Sequence, residues 1–282
     1  MSSVDARYVA ARRVLLDALQ ALEPHAAALV IAGAQAVYLH TGDGDLAVAP
    51  FTTDADLAVD PDRLAGDPLI EAAMSEAGFQ LALYGGHVEP GIWTTEVDVA
   101  GERLLIPVDL IVPEAAARGG GRRGARLGVH GRRAARRAIG LEAALVDHAP
   151  MSIRALEPAD ARLLTANVAG PTALLVAKAH KIHDRLDRGR ADRVIDKDAA
   201  DVLRLMQTTN PATVGGTLAE LTADPMAGSA STAAIGYLEA LFGRRGRPGI
   251  AMAARAMRLA LPAERVEAIC VAYVTTLRQA AG

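Results

Sequence analysis

Cysteine is almost missing from this 282-residue sequence. Cys270 is its one representative, which excludes an internal disulfide framework and any zinc or iron–sulfur site built from several cysteines. Lysine is nearly as scarce, with Lys178, Lys181 and Lys197 the only three among 30 basic residues. All three fall within one stretch of twenty residues, while elsewhere the sequence uses arginine. Aromatic residues make up 3%, so platforms for stacking nucleobases are few. No apolar run approaches the roughly 18 residues that a membrane helix needs. The opening MSSVDARYVAARR carries charges where a secretory signal would need its apolar core, so the expectation is a cytoplasmic protein with no membrane association. The balance of 30 basic and 33 acidic residues gives a net charge of −3, a whole-molecule field that does not call for a polyanion.

With 51% hydrophobic and 22% charged residues, the chain has the composition of a folded protein long enough for two domains. Apolar residues at helical spacing predict a first helix over 4–22, stopped at Pro24. ALVIA, from Ala28 to Ala32, reads as a buried strand that ends at Gly33, where AQAVYLH turns helical. A loop rich in Gly, Asp and Pro leads to a strand over 54–59, followed by a turn and a helix. FQLALYG, GIWTTEVDVAG and RLLIPVDLIVP read as extended, the last two joined by a short turn. GLEAALVDHAPMSIRAL and ARLLTANVAG suit short strands, and everything after Pro171 reads helical, with breaks near Asn210, Asp224 and Gly246 to Gly249. The order is a mixed α/β domain over 1–170 and an all-helical domain over 171–282.

Thr52-Thr53-Asp54-Ala55-Asp56-Leu57 is the most informative motif. On a strand, residues i and i+2 share a face, so Asp54 and Asp56 would present two carboxylates to one point. A divalent cation neutralises such a pair, and oxygen ligands without His or Cys nearby select Mg²⁺ or Mn²⁺. Asp109 in LLIPVDLIVP adds a third acid on a strand whose apolar flanks imply burial, and it completes the set if its strand lies beside the first. Three acids on adjacent strands can hold two metals for in-line phosphoryl or nucleotidyl displacement. Upstream, Gly33 at the start of a helix allows backbone N–H groups to approach an anion, and Thr52 can offer a hydroxyl to a terminal phosphate.

In the helical half, Lys178, Lys181 and Arg185 follow i, i+3, i+7 spacing and share a helix face able to grip a triphosphate. Asp198 and Asp201, also i, i+3, are placed to orient Lys178 or Arg185 by ion pairs rather than to ligate metal. His180 and His183 offer no clear set of further zinc ligands. Between 119 and 138 the stretch GGGRRGARLGVHGRRAARRA carries Arg122, Arg123, Arg126, Arg132, Arg133, Arg136 and Arg137, read as a flexible basic segment that can neutralise an RNA backbone. With aromatics so few, a backbone-and-shape partner such as a tRNA acceptor stem suits it better than a single strand read by sequence.

The string LVIAGAQAVYLHTG through FTTDADLAVD resembles the polymerase-β-like nucleotidyltransferases, whose pattern is a Gly-Gly or Gly-Ser pair, a helix, then hydrophobic-Asp-x-Asp and a later acid. In fuller outline it is similar to their AbiEii-like (MenT-like) branch of toxins from toxin–antitoxin pairs, which also has a helical second half with a lysine motif and a downstream Asp motif. ALLVAKAHKIHDR and DRVIDKDAADVL stand at those places here. The resemblance implies metal carboxylates at Asp54, Asp56 and Asp109, a phosphate lysine at Lys178, and the later acidic motif at Lys197, Asp198 and Asp201. It also implies tRNA as acceptor and a cognate antitoxin as partner. The second residue of the Gly pair is Ala34 here, which removes a hydroxyl but keeps a backbone donor. The spacer from Gly33 to Asp54 is longer than the family's, and Pro50 stands where an arginine is frequent.

The expectation is therefore a monomeric, Mg²⁺- or Mn²⁺-dependent nucleotidyltransferase that passes a nucleotide from an NTP to a hydroxyl of RNA. In it, Gly33, Ala34, Thr52, Lys178, Lys181 and Asp198 would serve the nucleotide. Asp54, Asp56, Asp109 and Lys178 would carry the chemistry. Two alternatives are a small-molecule nucleotidyltransferase of the antibiotic-modifying kind and a non-catalytic RNA- or partner-binding protein on a degenerate version of the same fold.

Overall fold

The computed structural model of this chain describes residues 5–42, 52–117, 124–187 and 196–282. The chain divides into two units. The first comprises Met1–Ala36, Ala49–Ala138 and His148–Ala169, and the second Val37–Val48, Ile139–Asp147 and Gly170–Gly282. The second thus includes two short segments that lie within the sheet half of the sequence.

The first unit is built on a mixed sheet. Its strands are β1 (Leu29–Ala32), β2 (Ala55–Val59), β3 (Gln80–Tyr84), β4 (His87–Val99), β5 (Glu102–Pro113), β6 (Arg136–Ala138), β7 (His148–Arg154) and β8 (Leu163–Ala169). They are ordered β3-β4-β5-β2-β1-β8-β7, with β6 paired to β5 off this path. β1 is buried at all four positions, as its uninterrupted apolar run requires of an interior strand. β2 runs antiparallel to β1 and parallel to β5. β4 and β5 form a hairpin across Ala100 and Gly101, the short turn expected there.

Burial alternates around the two acids of β2 and β5, while Ala58 and Ile111, two residues further on, are buried on the same face as the acids. Ala55, Leu57 and Val59 on β2, and Ile106, Val108 and Leu110 on β5, are buried, each large one contributing about 2 kcal/mol. Asp56 and Asp109 stand at the intervening positions and are partly exposed. Helix α1 (Ala6–Ala21), capped by the Asp5 carboxylate accepting from the N–H groups of Arg7 and Tyr8, packs on β2, β4 and β5. Helix α2 (Gly33–Thr41) leaves β1 directly, and α3 (Ile70–Glu76) follows β2.

Among the described residues, the second unit holds the end of α2 and the helices α4 (Pro171–Asp187), α5 (Asp196–Thr208), α6 (Pro211–Ala223), α7 (Gly228–Phe242), α8 (Pro248–Ala256) and α9 (Ala263–Ala281). The breaks at Asn210, Asp224 and Gly246 are those the sequence marks. Asn210 caps α6 through its side-chain oxygen, followed by Pro211 at the first helical position. Asp147 accepts from the N–H of Ala173 at 2.9 Å and so satisfies a donor at the start of α4. One expectation fails locally. Part of GLEAALVDHAP is a 3-10 turn, Glu142–Leu145, in which the buried Glu142 carboxylate accepts from the N–H of Gly140 at 2.6 Å. Among the described residues no helix is long and apolar enough to cross a membrane.

Candidate active site

Strand pairing brings the distant acids together. Asp56 on β2 is the register partner of Asp109 on β5, and on its other side of Ala32 on β1, the residue before Gly33. Directly opposed residues on neighbouring strands point to the same face, so Asp56 and Asp109 stand side by side although 53 positions apart in sequence. Asp109 is not buried as its apolar flanks suggest. It is partly buried, its side chain 18% exposed, because alternation turns it to the face opposite the buried Val108 and Leu110.

Gly33 opens α2 with φ +63°, a left-handed conformation that glycine adopts at no steric cost. A Cβ there would lie 1.9 Å from Oδ2 of Asp56, so the turn also requires a residue without a side chain. The carboxylate is thereby packed against the first residue of a helix. Asp54 lies one residue before β2 rather than within it. The buried Thr52 hydroxyl donates to its Oδ1, and Gln35 donates to its backbone carbonyl at 3.5 Å. Gln35 in turn accepts from the buried guanidinium of Arg12 at 2.9 Å. Thr52 is thus attached to the acidic motif, a contact that a phosphate-binding role alone does not anticipate.

Arg136 is the residue that the sequence alone does not single out. As the register partner of Ile111, two residues beyond Asp109, it shares the face of both. Its Nε and Nη2 donate to Asp109 Oδ2 at 3.1 and 2.6 Å. Two features hold β6 in this place. The Trp93 indole N–H donates to the carbonyl of Ala134 at 2.9 Å, and Gly91 allows an approach in which a Cβ would come within 2.2 Å of the Arg136 nitrogen.

The basic segment differs from the expectation of a flexible loop. Residues 124–138 fold into a 3-10 turn, Gly128–His130, and β6. Arg133 pairs with Glu71 at 2.8 Å, Arg136 with Asp109, and Arg137 with Glu114. Arg126 and Arg132 are exposed, and Arg122 and Arg123 lie outside the described residues.

The other predicted residues gather in the helical unit. Lys178 is buried and donates to Asp198 at 2.8 Å and Asp201 at 2.6 Å. Arg185 reaches the second oxygen of Asp198 at 2.6 Å, and Lys181, 40% exposed, lies 3.3 Å from the first. Burial by itself favours neutral forms of both Lys178 and Asp198. The charges prevail, since the two carboxylates hold the Lys178 ammonium well above its usual range and Lys178, Lys181 and Arg185 hold Asp198 well below the carboxylate range. His180 donates from Nε2 to the carbonyl of Ala230 at 2.8 Å, and His183 stacks on Tyr237 with ring centroids 3.8 Å apart.

As donors, carboxylates on adjacent strands suit a hard divalent cation. Among the described residues, however, no group of three or more His, Cys, Asp and Glu side chains stands arranged to hold one. Asp109 is engaged by Arg136 and Asp54 by Thr52. The donor types and strand register fit the metal, while among these residues a ready-made cage is absent.

No known family model matches the chain, and no curated protein matches it either. A solved structure of an antigenic nucleotidyltransferase-like protein from Paracoccidioides brasiliensis is similar at 14% identity, with 92% of each chain covered and a TM-score of 0.44. A likeness that loose carries no conclusion about chemistry, which rests on the residues themselves.

Proposed function

We propose that this protein is a metal-dependent nucleotidyltransferase acting at the Asp56–Asp109 face of the sheet. The observation that supports the reading most is the register itself, with Asp56 opposite Asp109 and packed against Gly33 at the start of α2. Asp54, Asp56 and Asp109 would hold Mg²⁺ or Mn²⁺, and a bound cation would supply neutralisation of the triphosphate charge.

The proposed reaction forms a bond from an acceptor hydroxyl oxygen to the α-phosphorus of an NTP and breaks the bond to the bridging oxygen, releasing pyrophosphate. Asp109 would accept the hydroxyl proton. The backbone at Gly33 and Ala34 would receive a phosphate at the helix start. Thr52 would keep Asp54 oriented through its hydroxyl. For Lys178 the surroundings support an internal counter-ion to Asp198 and Asp201, with Lys181 the more exposed cation of that group.

An RNA acceptor such as the tRNA end is supported by the exposed Arg126 and Arg132, and the role of a toxin restrained by an antitoxin by the motif resemblance alone. The test is transfer of label from each of the four α-labelled NTPs, with Mg²⁺, to tRNA and separately to aminoglycosides. Asp56→Ala should lower transfer about 10³-fold, with an unchanged circular dichroism spectrum. If no NTP labels RNA, small molecule or protein, the proposal is wrong.

A further inference from the structure

Arg136 places a positive charge on one of the two neighbouring acids. It sits on β6, two register positions beyond Asp109, and both of its bonds go to the same oxygen, Oδ2. The pair is partly exposed, 30% for the arginine side chain and 18% for the aspartate, so the guanidinium has solvent to move into. Asp56 on β2 is the immediate cross-strand neighbour of Asp109. Two carboxylates side by side repel, and a fixed positive charge on one of them relieves that repulsion without metal.

From this geometry we infer that Arg136 is a built-in competitor for the divalent cation, a positioning residue that holds Asp109 in the metal-free protein and gives way when metal enters. The inference rests on the proposed metal site. The guanidinium and the metal would claim the same carboxylate, so the arginine weakens divalent binding. The short β6 anchors the arginine from the backbone side, through Trp93 to Ala134 and through the close approach at Gly91.

The readout is Mn²⁺ affinity, measured by electron paramagnetic resonance of free Mn²⁺ on the full chain without nucleotide. Arg136→Gln removes the charge and leaves a shorter side chain with one amide donor, and should bind Mn²⁺ about tenfold more tightly than the parent, because one cation no longer opposes another nearby. Arg136→Lys keeps the charge and should stay within about twofold of the parent. Adding Asp109→Asn to Arg136→Gln should abolish the gain. Equal or weaker Mn²⁺ binding by Arg136→Gln, with the parent binding normally, overturns the competitor role and leaves the metal site standing. Failure of the parent and of both single variants to bind Mn²⁺ overturns the metal site and the competitor role together. Circular dichroism of each variant shows whether the sheet is retained, and if the glutamine variant does not fold, Arg136→Met, also uncharged and unbranched, takes its place with the same expected gain and the same overturning result.

Discussion

Substituting Gly33 by alanine perturbs the candidate site through a single atom. The new Cβ would stand 1.9 Å from Asp56 Oδ2, 2.8 Å from its Cγ and 3.0 Å from its Cβ. Ordinary contact begins near 3.4 Å, so the carboxylate would have to retreat by about 1.5 Å, or the start of α2 would have to move. At φ +63° alanine also meets left-handed strain of about 1–2 kcal/mol. For a protein of this size that strain alone lowers Tm by roughly 2–8 °C. A displacement of about 1 Å at a reacting centre costs on the order of 10²-fold in rate, so transfer should fall at least that far. Gly78 supplies the control. Its φ is +85°, and no heavy atom lies within 4 Å of where its Cβ would be. Gly78→Ala should share the strain and none of the collision, losing stability while retaining activity. The assay is thermal unfolding of both variants beside labelled-nucleotide transfer. Equal transfer by the two would refute the claim that the Asp56 carboxylate must rest against the helix start.

Two further outcomes follow from buried groups. Lys178→Met takes from the buried Asp201 its ammonium partner, while Asp198 keeps Arg185 and Lys181, and should cost about 3 kcal/mol in urea unfolding, whereas a loss of activity with unchanged stability would assign the lysine to substrate instead. His25 is buried, donates from Nε2 to the Pro68 carbonyl at 2.8 Å, and has no hydrogen-bond partner at Nδ1 among the described residues to receive a second proton. Burial, reinforced by the nearby His130, lowers its pKa from 6.5, so the unfolded chain takes up the proton first as pH falls. The stabilising contribution is complete above 6.5 and declines below it, by up to about 1.4 kcal/mol per pH unit, until the folded-state value is passed. Denaturant titrations at pH 7, 6 and 5 should show this slope, and His25→Leu should flatten it. A parent protein equally stable at all three values would contradict the assignment.

Local pattern was enough to place most elements. Four apolar residues in a row ending at a glycine mark β1 and the start of α2, because an interior strand needs no polar face and only a flexible residue makes that turn. Asn210-Pro211 marks the start of α6 through capping chemistry carried by two adjacent residues. The aspartates of the candidate site were legible as residue types at strand spacing. Their meeting was not, since the register Asp56↔Asp109 depends on which strands pair, and pairing is a choice among distant segments made by the whole core. Asp109 shows the difference plainly. Its apolar neighbours argue for full burial, yet strand alternation turns it to the face opposite Val108 and Leu110 and leaves it partly exposed. Arg136 shows it again, one of seven arginines in a stretch that reads as a solvated loop. It becomes the partner of Asp109 only because β6 pairs with β5 just past the point where the β4–β5 pairing ends. Backbone preference and hydrophobic period act over a few residues and can be read from a string. A charge's neighbours are set by contacts between segments far apart in the chain, and those exist only once the sheet has closed.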